Sequence, residues 1–317
     1  MHAAATEVRS AALRTLLRSF GQVVLQANTF TGVCVLAAWL VADVRLAGAA
    51  LLGTVAANLS AVLAGYRDDD TRAGLRGFNG ALAGLAAFSF IADTGTAAAV
   101  AILAATAAAW LQEPWSRWLR ARGLSCFSSP YLIITWLWLS LPIVTSGTPH
   151  ASVVPVHVQG VAQWGRGLLS GIAQMGFVAG ALPGVLVLIG IAAASRRHAL
   201  GALIGTTMAS AAHLLLLGAA PGSFDAGLLG FNGALTALAL VDCGVVSMLG
   251  GVAVSVVLQA VAVRCGWPVM TAPFVLATWC VQGARRWVGR GVRGVRGGAA
   301  VEPVGRAESK MPVGREG

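Results

Sequence analysis

Residues 77–86 read GFNGALAGLA and residues 230–239 read GFNGALTALA, identical at eight of ten positions. The match spreads outward from this motif. Gln22 pairs with Gln174, Gly32 with Gly184 and Gly53 with Gly205, all at a spacing of 152. Phe78/Phe231 and Leu82/Leu235 stand 153 apart. Pro130-Tyr131…Thr135-Trp136 pairs with Pro273-Phe274…Thr278-Trp279 at 143. A unit of about 130 residues has therefore been duplicated with its element order kept. Such a duplication points to a transporter or channel whose pathway runs at the interface of the repeats.

Composition states the solvent. Of 317 residues, 57% are hydrophobic and 11% charged, and the mean hydropathy is +0.76. A soluble domain carries about 25% charged residues. So few charges exclude a cytosolic enzyme, a secreted disulfide scaffold and a disordered chain, and leave an all-α polytopic membrane protein. Apolar segments fall at 21–42, 45–65, 77–91, 95–112 and 130–148, then at 168–194, 199–219, 227–241, 244–264 and 269–284. The expected organisation is a first transmembrane repeat at 1–148, a linker at 149–166, a second repeat at 167–284 and a basic, Gly-rich, disordered tail at 285–317. The segments at 77–91 and 227–241 are short for a span. Short, Gly-interrupted apolar segments at matching places in two halves predict re-entrant half-helices.

The net charge of +10 lies in arginine clusters between apolar segments and at both ends. It reads as positive-inside charge, with both termini cytoplasmic. Nucleic acid is not an expected partner, because no basic folded domain exists to hold it. The five cysteines show no CxxC pairing and the five histidines no metal-ligand spacing, so neither a disulfide framework nor a metal site is expected. No cofactor is implied. Residues 5–20 read as an Arg-bearing helix rather than a cleavable signal.

In lipid every backbone polar group needs an internal partner. The GFNG turns would start half-helices within the membrane, with Asn79 and Asn232 bonding the turn or capping the helix. Two Phe fixed by the repeat, Phe78 and Phe231, could face each other as a flat slot, with Leu82 and Leu235 one helical turn on. Ser128 and Thr271 precede Pro130 and Pro273 and are expected as N-cap-like hydroxyls. Gln22 and Gln174 stand at equivalent apolar sites, where each either pins a helix break or lines the route. No carboxylate is read inside a span. A proton- or sodium-coupled pump carries one, so the sequence favours passive flow. An intramembrane enzyme lacks a nucleophile–base set, and a pure scaffold leaves the two short segments unexplained.

At this point the sequence resembles the urea transporter family. The resemblance rests on FGQVVLQANTFTG (20–32), GFNGALAGLA (77–86), GFNGALTALA (230–239) and MTAPFVLATW (270–279), with SSPYLIITW (128–136) as a weaker partner. It implies two inverted repeats of about five transmembrane helices, each with a re-entrant half-helix. It further implies a urea-conducting pore at the repeat interface, homotrimers with one pore per subunit, and residence in a bacterial cytoplasmic (inner) membrane. Phe78 and Phe231 would be the slot aromatics, Leu82 and Leu235 the constriction, and Ser128 and Thr271 the centre. Val23, Leu25, Met175 and Phe177 would lie along the pore beside Gln22 and Gln174. Ser128 stands where the family typically has Thr, Gln174 where many members have Glu, and Tyr131 where Phe is usual. These departures keep a pore for ammonia or short-chain amides as the alternative.

Overall fold

The computed structural model describes residues 2–66, 68–141 and 160–298. Every helix of the first half has a counterpart seven helices later. The first set is α1 (His2–Gln22), α2 (Thr29–Ala42), α3 (Val44–Leu63), α4 (Asp68–Arg72), α5 (Gly77–Phe90), α6 (Thr94–Ala121) and α7 (Ser129–Leu139). The second is α8 (Val161–Ala173), α9 (Ala181–Ala194), α10 (Arg196–Ala211), α11 (Pro221–Asp225), α12 (Phe231–Leu240), α13 (Val245–Arg264) and α14 (Ala272–Gly298). The order inferred from the duplicated motifs is the order of the helices. The linker expected at 149–166 falls largely outside the described residues, with α8 starting at Val161. The tail differs from expectation. Helix α14 runs on through residues 285–298, and residues 299–317 lie outside the described residues.

Polar side chains at the turns start the helices. Asn28 Oδ1 accepts from Phe30 N at 2.8 Å and Thr31 N at 3.2 Å, capping α2. Asp43 caps α3 through Arg45 N, Asp93 caps α6 through Thr96 N, and Ser195 caps α10 through His198 N. Each satisfies a backbone donor that a helix start leaves free.

The outside of the bundle is oily and its inside is tight. Leu51, Val55, Leu59 and Val62 of α3, Leu103 of α6, and Val257 and Val261 of α13 are exposed. Apolar side chains in such numbers on the outside mark a lipid-facing surface. The buried face of α6 is an i, i+4 stripe of Ala97, Ala101, Ala105 and Ala109. Small residues let membrane helices approach closely, since lipid supplies no hydrophobic drive between them.

At the centre lie α5 and α12. Every residue of α5 from Gly77 to Ala87 is buried, as are Phe231 to Leu238 of α12. At 14 residues α5 is about 21 Å long, short of a hydrocarbon core of about 30 Å. Among the described residues, α3, α6, α10 with its following π-helical turn, and α13 are long and apolar enough to cross a membrane. The pair α8/α9, bent by 68°, makes a fifth if counted as one span. That is fewer uninterrupted spans than five per repeat, because several apolar helices stop at backbone breaks. Two breaks are matched: Leu25 (φ 59°) and Phe177 (φ 64°) both take the left-handed conformation, which is costly for a side-chain-bearing residue.

The central helices fit through glycine pairs. A Cβ on Gly53 of α3 would overlap the Gly80 carbonyl of α5, and one on Gly205 of α10 would overlap the Gly233 carbonyl of α12. Gly48 of α3 has nothing within reach of such an atom. We expect Gly53→Val or Gly205→Val to separate these crossings and cost about 1–3 kcal/mol, while Gly48→Ala is tolerated. Thermal unfolding of the detergent-solubilised protein, followed by the loss of its monodisperse peak, checks this.

Candidate functional site

Equivalent residues of the two repeats meet one another. Ser128 Oγ and Thr271 Oγ1 are hydrogen-bonded at 2.9 Å. Trp136 Nε1 donates to the Pro268 carbonyl at 3.1 Å, and its counterpart Trp279 Nε1 donates to the Ser125 carbonyl at 2.7 Å. Contacts between like positions, made reciprocally, are what a local two-fold relation produces. Phe127 and Phe274 pack edge-on across the same junction, with ring centroids 5.2 Å apart. The residues just before Ser128 and Thr271 are Phe127 (φ 46°) and Met270 (φ 40°), again a left-handed pair. Strained backbone thus sits twice beside the meeting point.

Each break is held by an asparagine. Asn79 Nδ2 donates to the Phe127 carbonyl at 3.4 Å and to Gln112 Oε1 at 3.3 Å, and its Oδ1 accepts from Tyr131 N at 3.3 Å. Asn232 Nδ2 donates to the Met270 carbonyl at 3.0 Å and to Gln259 Oε1 at 2.9 Å, and its Oδ1 accepts from Phe274 N at 3.3 Å. Gln112 Nε2 closes onto the Leu75 carbonyl and Gln259 Nε2 onto the Leu228 carbonyl. Contrary to the sequence expectation, the asparagines do not cap their own helices. They serve the broken backbone before and within α7 and α14. Ser128 and Thr271 do not cap either. Ser128 makes no capping bond to α7, and the two hydroxyls face each other instead. Tyr131 Oη joins them, 3.1 Å from Thr271 Oγ1.

Two cavities flank this point, and the predicted site residues divide between them. The first, of about 400 Å³, is lined by Gln22, Leu25, Phe78, Gln112 and Phe127, with Asp70, Arg76, Glu113, Ser116 and Arg120. The second, of about 760 Å³, is lined by Gln174, Phe177, Phe231, Gln259, Met270 and Thr271, with Phe90, His213, Leu229, Ala260, Val263 and Arg264. The first five residues named for each wall are repeat counterparts. The walls diverge at the other positions: Leu229, Ala260 and Val263 stand where the first wall has Arg76, Glu113 and Ser116, so the first wall is charged and the second mostly apolar. Gln22 Nε2 donates to the Ala73 carbonyl, so it pins backbone and lines a cavity at once.

Four predicted residues lie elsewhere. Val23 and Met175 are packed into the hydrophobic core and line neither cavity. Leu82 and Leu235 are each 2% exposed and also line neither. The reason for the first two is local. The left-handed turns at Leu25 and Phe177 aim those residues at the cavities and leave the positions two before them inward against neighbouring helices.

Two features escape a reading of the sequence alone. Gln112 and Gln259, 147 apart, complete the asparagine clamps, and their matched placement in α6 and α13 is the signal that could have found them. Arg76 is 1% exposed and pairs with Glu113 at 2.6 Å, under the ring of Tyr66. This corrects the expectation that no carboxylate lies within a span, since Glu113 is in α6. No repeat signal marks the pair, because its counterparts are Leu229 and Ala260. Among the described residues no three His, Cys, Asp or Glu side chains gather to hold a metal ion.

The clamps should be structural. Asn79→Leu strands the Phe127 carbonyl, the Tyr131 N–H and Gln112, and each stranded buried group costs about 1–3 kcal/mol. We expect this variant to lose most of its folded yield, and Asn232→Leu to behave alike, as measured by thermal stability in detergent.

The urea transporter family model matches residues 13–286. Among curated proteins none matches the chain significantly. The matched stretch takes in both sets of helices, both clamps and both cavities. The chain belongs to the urea transporter family: it is an integral membrane protein, not an enzyme, and carries urea across the membrane.

Proposed function

We propose that urea passes through this protein passively, from one cavity to the other, between Phe78 and Phe231 and past the Ser128–Thr271 pair. The observation that carries the reading is the matched pair of cavities on either side of joined hydroxyls, one lined by Gln22, Gln112 and Phe78 and the other by their counterparts Gln174, Gln259 and Phe231. Urea is flat, small and neutral. A slot between aromatic faces accepts a planar solute and rejects hydrated ions. Side-chain and backbone oxygens along its edge replace the water lost at each step, so no deep well forms. Leu82 and Leu235, one turn beyond the two Phe, would set the width. Glu113 is tied to Arg76, which favours a structural ion pair over a titrating coupling site.

The reading includes inverted repeats. Helix α6 ends, and its counterpart α13 begins, where Arg286 lies against Gly123 and Arg285 bonds the Cys243 carbonyl. This supports counterpart helices that run in opposite directions. Arginines also favour one end of the bundle. Arg76, Arg117, Arg120, Arg122 and Arg197 share the end of Arg285. Arg45, beside Ile91, and Arg264, at the far end of α13, lie at the other. The positive-inside rule then makes the charged cavity cytoplasmic. Homotrimers with a pore in each subunit, in a bacterial cytoplasmic membrane with both termini inside, complete the reading and rest on the family resemblance.

Stopped-flow light scattering on proteoliposomes under an inward urea gradient tests this. We expect fast urea influx without an energy source, reduced by an order of magnitude or more in Phe78→Trp. Phe78→Ala should keep the fold but lose preference for urea over acetamide. Influx of ammonia or acetamide without urea would mean a retuned filter, and no influx of any solute would remove the channel reading.

A further inference from the structure

Outside the repeat-related residues, the second cavity holds one buried polar side chain with an unused atom. His213 lies in the π-helical turn that follows α10 and is 4% exposed. Its Nδ1 is 2.8 Å from the Ala209 carbonyl. A carbonyl only accepts, so Nδ1 carries the proton and Nε2 of the neutral ring is an acceptor. No hydrogen bond of acceptable geometry reaches Nε2. The Leu229 carbonyl also lies beside the ring, and it too can only accept. Two acceptors side by side cannot satisfy each other. A group bearing two N–H donors satisfies both.

Two other polar side chains of this wall, Gln259 and Thr271, are already engaged. Gln259 bonds Asn232 and the Leu228 carbonyl, and Thr271 bonds Ser128 and Tyr131. The counterpart of His213 in the first repeat is Ala61, so the backbone framework does not need the imidazole.

We propose that His213 Nε2, with the Leu229 carbonyl, is a docking site in the second cavity for the –NH₂ group of an amide solute. The inference rests on the urea-transport reading and deepens it, because the solute waits here before it reaches Phe231. A buried acceptor left unpaired is costly, so an incoming N–H that reaches Nε2 gains a bond that the protein itself does not supply. Acid should abolish the site. A doubly protonated ring donates to both carbonyls and no longer accepts. Arg264 of α13 is the other charged or titratable group in this wall among the described residues; Asp225 of α11 is not part of it. A pH change in docking is assigned to the ring.

The test is urea influx into proteoliposomes holding the full chain, as a function of urea concentration, at neutral and mildly acid pH. His213→Leu removes the acceptor, and His213→Gln keeps one in its amide oxygen. We expect the half-saturating urea concentration to rise roughly five-fold in His213→Leu and to return most of the way in His213→Gln. Acid should raise it in the wild type and leave both variants unchanged. Wild-type half-saturation in His213→Leu, or an equal acid response in all three proteins, would overturn the proposal while leaving urea transport standing. Should His213→Leu not fold, the acid response of wild type against His213→Gln decides: present only in the wild type supports it, equal in both overturns it. A wild type that passes no urea would remove the transport reading, and this inference with it.

Discussion

A helix that stops inside a membrane leaves backbone groups with no water to turn to. This chain has such buried helix ends twice, at the starts of α7 and α14. The asparagine side chain answers the problem with an acceptor for the N–H that the new helix frees and donors for the carbonyl that the loop exposes. Asn79 and Asn232 place both ends where they are needed. Gln112 and Gln259 hold each asparagine in turn and tie it to a carbonyl just before its own helix. Without these clamps the left-handed residues Phe127 and Met270 would have nothing to hold them.

The packing follows from that requirement. An asparagine can reach a break at the centre only if its helix runs through the centre. Helices α5 and α12 therefore have no lipid face along most of their length, and their neighbours must come very close. That explains glycine at Gly53 and Gly205, opposite Gly80 and Gly233, and alanine down the buried face of α6. The exposed apolar side chains are mostly leucine and valine, where only lipid must be matched. The composition of the chain, rich in Gly and Ala within an apolar background, is the record of this division.

Much of this is legible in the residues. The GFNG repeat sets the count and order of helices, because duplicated units keep their element order. It also finds the residues at the meeting point, since positions close to a two-fold relation meet their own counterparts. The roles of those residues are harder. Asn79 reads as a local cap, because capping partners lie a few residues away in sequence, whereas its real partners are 33 to 52 residues distant. Val23 and Met175 read as part of the route, but a left-handed residue two positions later reverses the chain, and one sequence does not announce such a turn at Leu25 or Phe177. The Arg76–Glu113 pair hides for another reason. It breaks the repeat, so a reading built on matches passes over it. The arginine-rich tail misleads in the opposite sense: glycine and charge suggest disorder, yet the helix of α14 carries on through residues 285–298.

The two repeats stay alike where backbone must be satisfied and diverge along the cavity walls. Asn, Gln and Gly hold the same positions in both, since no other side chain meets the same breaks and crossings. The cavity walls are under no such constraint. Arg76 faces Leu229 across the repeat, Glu113 faces Ala260, and Ser116 faces Val263. The centre shows how far divergence can go without loss of fit. Ser128 lacks the methyl of Thr271, and Tyr131 has the hydroxyl that Phe274 lacks. That phenol reaches across to Thr271, so the atom removed from one residue is balanced by the atom added to another. Three hydroxyl groups then stand where a fully symmetric centre would have two. On the proposed route, a neutral solute with both donors and a carbonyl could bond such a group in either sense, so the extra hydroxyl would alter how it is held without raising a charge barrier.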